Sequence, residues 1–241
     1  MPVREKPEDR KKRAMEILKI LKKTYPRATT ALNWAAPLEL LVATILSAQC
    51  TDTRVNIVTK DLFKKYRAAG DYISADPAEL EQMVRTCGFY RQKTKSIKHT
   101  CRMIVDKFSG KVPDTMEELI TLPGVARKTA NVVLGAAFGK NEGIAVDTHV
   151  GRVTMRLGLI TSTTDPKNAV KIEHDLMELI PRKNWTFFSH GLVLHGREIC
   201  HARKPEHDKC PLNKLCPNVN TQIDRFYAAR SFSRRRTTDF S

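Results

Sequence analysis

The sequence predicts an all-helical protein, on three observations. Apolar residues recur at spacings of three and four, caps and stops separate those segments, and no stretch alternates apolar and polar residues with a period of two. Ala14, Ile17, Leu18 and Leu21 share one helical face, and Tyr25-Pro26 ends that helix. Pro37 suits a first helical position ahead of an apolar run through Ala48. Val55, Val58, Leu62 and Phe63 continue the pattern. Asp76-Pro-Ala-Glu79 predicts a capping box, with Asp76 as N-cap and Glu79 reaching back, and Gly88 stops that helix. A further helix covers about 92–108 and ends at Ser109-Gly110. Thr115 and Glu118 cap the next, and Gly139, Gly158 and Pro181 punctuate three later ones. The first and last dozen residues, including Arg234-Arg-Arg236, read as charged tails.

Charge narrows the function. The chain has 42 Lys and Arg against 26 Asp and Glu, a net +16 spread along its whole length. Such an excess predicts a polyanionic partner, nucleic acid being the commonest. The longest apolar segment, Leu40 to Leu46, is far short of the roughly 20 residues that cross a bilayer, so no membrane role is expected. The N-terminus lacks an apolar secretory core, and its acidic residues argue against a mitochondrial presequence. Cys50, Cys87 and Cys101 lie in helical or apolar surroundings and read as intracellular thiols, whereas Cys200, Cys210 and Cys216 crowd together as metal ligands do.

The stretch Leu122-Pro-Gly-Val-Ala-Arg-Lys-Thr-Ala-Asn-Val133 predicts a helix, a tight Pro-Gly hairpin and a second, very apolar helix starting near Arg127. Gly124 lets the main chain approach a phosphate, and the unpaired N–H groups of the following helix point at it. A bare Pro-Gly turn between packed helices has the same outline, but the longer string is more specific. Lys128 falls in the first turn of that helix, where a positive charge opposes the macrodipole. At the ordinary lysine pKa about one amine in 2,500 is neutral at pH 7, so an amine nucleophile needs help of this kind. A phosphate-neutralising lysine fits the same position. In Ile144-Ala-Val-Asp-Thr-His-Val150, an apolar run delivers Asp147 to the start of a helix. Asp147 serves there as N-cap, as an ionised carboxylate available for proton transfer or cation stabilisation, or as both.

The hairpin string, together with Ala145-Val-Asp-Thr-His149 and Ser47-Ala-Gln-Cys-Thr-Asp52, resembles the endonuclease III family of the helix-hairpin-helix DNA glycosylases, over about Thr30 to Cys216. The resemblance implies a two-lobed all-α fold with a DNA cleft between the lobes. A six-helix bundle covers about 30–140, and residues 1–29 join 141–241 in a lobe carrying an iron–sulfur loop at 200–216. It implies a monomeric, cytoplasmic and nucleoid-associated enzyme that removes oxidised pyrimidines from duplex DNA and then cuts the strand. Lys128 is the implied nucleophile and Asp147 its acidic partner. Gln49 is implied to insert toward the orphan base and Phe89, in Cys87-Gly-Phe-Tyr90, to act as the wedge that unstacks the duplex, although Phe89 also reads as a core aromatic after a helix-stopping glycine. Gly124, Ala126, Arg127 and His149 complete the expected DNA-contacting set. Ala126 stands where the family usually has a second glycine, so a weakened phosphate contact is expected there. A monofunctional relative such as an adenine glycosylase would lack the lysine, and a non-catalytic hairpin module would need neither Lys128 nor Asp147.

Cys200, His207, Cys210 and Cys216 are spaced C-x6-H-x2-C-x5-C. Three Cys and one His alone suggest structural zinc. The family has this spacing with Cys at all four places, so the resemblance implies a [4Fe-4S] cluster with His207 as one ligand; a cluster held by three Cys with His207 nearby, or no cluster at all, are the alternatives. His201 is an alternative donor outside the family spacing, and Arg203 and Lys204 would present charge to DNA from the loop.

Overall fold

Eleven α-helices and short 3-10 turns make up the regular structure of residues 5–218, which this computed structural model describes, and no strand occurs among them. Residues 30–142 form one compact unit, and among the described residues 5–29 join 143–218 in the other. No helix among the described residues is long and apolar enough to cross a membrane.

The 30–142 unit contains α2 (Pro37–Ser47), α3 (Asp52–Lys65), α4 (Ala69–Ser74), α5 (Pro77–Val84), α6 (Tyr90–Phe108), α7 (Met116–Leu119) and α8 (Arg127–Phe138). Every residue from Leu40 to Leu46 is buried, so α2 is an axis rather than a surface helix, and it packs against α3, α6 and α8. Leu40, Leu41 and Leu46 are each fully enclosed, and each contributes roughly 1.5–3 kcal/mol of burial free energy. The long helix α6 packs against α2, α4 and α5 and buries Ile97, Cys101 and Ile104. The Thr115 cap forms as the sequence predicts, its hydroxyl accepting from the Glu118 amide and donating to the Glu118 carboxylate. At Asp76 the outcome differs. Its side chain caps Ala78 N–H, but Glu79 turns outward to pair with Lys65 and to accept from the Tyr66 hydroxyl.

The other unit contains α1 (Pro7–Thr24), α9 (Thr148–Arg156), α10 (Ala169–Leu179) and α11 (Trp185–Glu198), packed around Ile17, Leu21, Val150, Val153, Leu176, Phe188 and Leu192. Because α1 begins at Pro7, with Glu8 and Asp9 in its first turn, half of the expected N-terminal tail is helix. Arg234–Arg236 lie outside the described residues.

Candidate active site and metal loop

Leu122 to Val125 closes as a turn, Val125 N–H donating to the Leu122 carbonyl at 3.1 Å. Pro123 takes its second position and Gly124 its third at φ +82°, the pattern of a type II turn. A Cβ on Gly124 would lie 3.1 Å from Ser96 Cβ on α6 and 3.6 Å from Ile45 on α2, so the glycine is needed for both space and conformation. Thr100, also on α6, donates its hydroxyl to the Pro123 carbonyl at 2.8 Å. Replacing Gly124 by alanine is expected to cost about 1–2 kcal/mol, read as a fall of several degrees in Tm. An unchanged melting temperature would contradict this account of the hairpin.

Ala126 is the N-cap of α8 and adopts φ −91°, ψ 168°, extended backbone that alanine takes without strain. The expectation of a weakened contact therefore loses its conformational basis. Ala126 makes no side-chain cap hydrogen bond, so no capping side chain covers the start of α8, the end of a helix that suits a phosphate. Ala126, Arg127 and Lys128 are all exposed. Lys93, Lys98 and Lys140 each donate to backbone carbonyls. The Lys128 amine, by contrast, has no hydrogen bond or ion pair among the described residues.

Gln49 is exposed in the turn leaving α2, and Phe89 is 66% exposed in the turn before α6. That exposure removes the core-aromatic reading of Phe89. Both residues lie on left-handed backbone, φ 55° and 48°, which non-glycine residues adopt at a cost of about 1–3 kcal/mol; among the described residues only Ser109, the C-cap of α6, does the same.

In the second unit, Asp147 is the N-cap of α9. Its Oδ1 accepts from His149 N–H and Val150 N–H, each at 2.8 Å, while Oδ2 takes no hydrogen bond among the described residues. His149 is half-buried, with Nδ1 3.2 Å from the Arg152 guanidinium. Arginine can only donate, so the Arg152 guanidinium beside Nδ1 disfavours a second positive charge on the ring. Burial lowers its pKa, the Asp147 carboxylate opposes that shift, and the neighbouring guanidiniums add to it.

The metal loop hangs from the same helix. Arg152 donates to the carbonyls of Gly196 at 2.7 Å and Cys200 at 3.0 Å. One turn on, Arg156 donates to the carbonyls of His201 at 2.6 Å and Ala202 at 2.9 Å and lies 3.4 Å from Cys200 Sγ. Gly196 permits this approach, since a Cβ there would meet His149 at 3.1 Å and Arg152 at 3.0 Å. Sequence reasoning missed both arginines and also His195, whose Nε2 is 3.6 Å from Cys210 Sγ. Burial and Arg152 lower the His195 pKa to about 4, so the ring is neutral.

Cys200, His207, Cys210 and Cys216 line one recess with His195. His201 turns to Glu206, at 3.3 Å, instead. Burial pushes the Cys210 thiol up to about 11, with Cys200 and Cys216 adding to the rise, and burial raises Cys216 likewise. Thiols crowded in this way become thiolates only beside compensating positive charge, which a metal core supplies. No three described His, Cys, Asp or Glu side chains converge as they would on one ion. A zinc ion draws sulfur donors to about 2.3 Å from one centre, whereas a cubane cluster spreads its ligands over separate corners, so the donor set fits a cluster better.

Residues 42–182 match the HhH-GPD superfamily of base excision DNA repair proteins, and residues 200–216 match the iron–sulfur binding domain of endonuclease III. The chain is 55% identical over 210 residues to endonuclease III of Synechocystis sp., covering 87% of this chain and 94% of that protein. The chain belongs to the endonuclease III family. It is 44% identical over 192 residues to the endonuclease III of Bacillus subtilis, covering 80% of this chain and 86% of that one. A solved structure of a trapped endonuclease III–DNA covalent intermediate matches with a TM-score of 0.80 and 45% identity, covering 86% of this chain and 96% of that chain. As an endonuclease III family member the protein is a base excision repair DNA glycosylase with abasic-site lyase activity, and its cofactor is a [4Fe-4S] cluster.

Proposed function

We propose that the enzyme excises oxidised pyrimidines from duplex DNA as a cytoplasmic, nucleoid-associated monomer, with Lys128 as nucleophile and Asp147 as its acidic partner. The observation that carries this reading is an exposed amine in the first turn of α8 with no hydrogen bond or ion pair among the described residues, behind a hairpin whose backbone suits a phosphate. The similar endonuclease III trapped covalently on DNA supports a covalent route.

In this scheme the damaged nucleotide leaves the stack, Gln49 fills toward the orphan base and Phe89 holds the step open. The backbone of Gly124, Ala126 and Arg127 binds the flanking phosphate, and His149 lies near the acid as a further DNA contact. The Lys128 lone pair forms a bond to C1′, and the C1′–N bond breaks with the electron pair leaving on the base, which takes up a proton. Asp147 accepts the amine proton or offsets the positive charge developing on the sugar. Opening of the sugar gives a protonated Schiff base. Loss of a C2′ proton then expels the 3′ phosphate oxygen, and water releases the lysine. Cys200, His207, Cys210 and Cys216 would hold the cluster, whose contribution is to pin the basic loop carrying Arg203 and Lys204.

The test is a labelled duplex carrying one oxidised pyrimidine. Both free base and a nicked strand ending in a 3′ unsaturated aldehyde are expected. Base release from an intact strand would indicate a monofunctional enzyme and overturn the lysine mechanism.

A further inference from the structure

Gln49 and Phe89 share an unusual property, left-handed backbone without glycine, and such residues persist only where their surroundings hold them. One buried ammonium lies behind both turns. Lys93, on α6, is 5% exposed and donates from Nζ to the Leu46 carbonyl at 2.8 Å and to the Cys87 carbonyl at 2.9 Å. Leu46 precedes Gln49 by three residues at the end of α2, and Cys87 precedes Phe89 by two at the end of a 3-10 turn. We propose that Lys93 is a positioning residue, a clamp whose ammonium fixes the Gln49 turn and the Phe89 turn relative to each other so that both enter the duplex as one unit. The proposal rests on the reading of Gln49 and Phe89 as inserting residues.

The chemistry of the position favours a specific role over packing. Burying an ammonium is costly unless it is well paired, and burial lowers the Lys93 pKa against the opposing influence of the Cys50 and Cys87 sulfurs. Methionine would fill the same space without that cost, so packing alone does not account for a lysine here. The same face of α6 continues at Ser96, against Gly124, and at Thr100, bonded to the Pro123 carbonyl. One helix face thus registers three loops, and Lys93 is the residue that joins two of them directly.

The test uses the full-length, iron-loaded protein with Lys93→Met. Excision from a lesion-bearing duplex is expected to fall about tenfold or more, because eversion needs both inserting residues. Borohydride trapping on a single-stranded abasic oligonucleotide, where no base pair must open, should stay within about twofold of wild type. Equal losses on both substrates, or none on the duplex, would overturn the clamp. Lys93→Gln, one atom shorter and still a donor, should lie between. Gln49→Ala and Phe89→Ala serve as controls. If they show no duplex-selective loss, the inserting reading fails; if they do and Lys93→Met does not, the clamp fails. Native-state hydrogen exchange of the wild type judges the clamp without any variant or substrate. The amides of 48–50 and 88–90 should open together with one free energy, and two independent openings would overturn the proposal.

Discussion

Lys128→Ala is expected to abolish borohydride trapping on abasic DNA and to lower strand cleavage by roughly three orders of magnitude, about 4 kcal/mol of transition-state stabilisation. The side chain is exposed and makes no hydrogen bond or ion pair among the described residues, so truncation should change stability by no more than about 0.5 kcal/mol. A loss of this size then belongs to the chemistry. Lys128→Arg separates nucleophile from phosphate ligand, because arginine keeps the charge but stays protonated in proteins. If Lys128 only neutralises phosphate, the arginine variant retains activity; if it attacks C1′, the arginine variant is as inactive as the alanine one. Cleavage near the wild-type rate with Lys128→Arg would end the covalent mechanism.

For Asp147→Asn, turnover should fall about 10²- to 10³-fold while DNA binding is kept or strengthened. Asparagine caps helices as well as aspartate does, and an amide oxygen can still accept from His149 and Val150 N–H, so α9 keeps its start. What disappears is a negative charge and, on the proposed mechanism, the carboxylate that takes a proton. Asp147→Ala should in addition lose about 1 kcal/mol of stability through the missing cap, measurable by denaturant unfolding. Near-normal turnover by Asp147→Asn would reduce Asp147 to a helix cap alone.

Much of this was legible in the sequence because local signals governed it. The Thr115–Glu118 box, the Pro37 start, the Gly139 stop and the hairpin all depend on neighbours within a few residues. The misreadings arose where a distant group intervened. Glu79 had a capping position available but found Lys65, fourteen residues earlier, and the Tyr66 hydroxyl. Lys93 sits among Arg91, Lys95 and Lys98 in a helix of ordinary solvated appearance, and nothing local marks it as the one beneath two loops. Arg152 and Arg156 look like surface charge on α9 until α11 and the metal loop come to rest against them. At Ala126 the family comparison raised a concern that the extended backbone answers, since only Gly124 needs positive φ in this hairpin.

Helix α9 gives the iron loop a mechanical relation to the acid. Nine residues, about 13 Å of rigid rod, separate the carboxylate at one end from the guanidinium that grips the His201 and Ala202 carbonyls at the other. Oxidative loss of iron would free the loop those carbonyls belong to, and the rod would lose its far mooring. Metal content would then govern where the proposed proton acceptor stands, with no electron needing to pass between them.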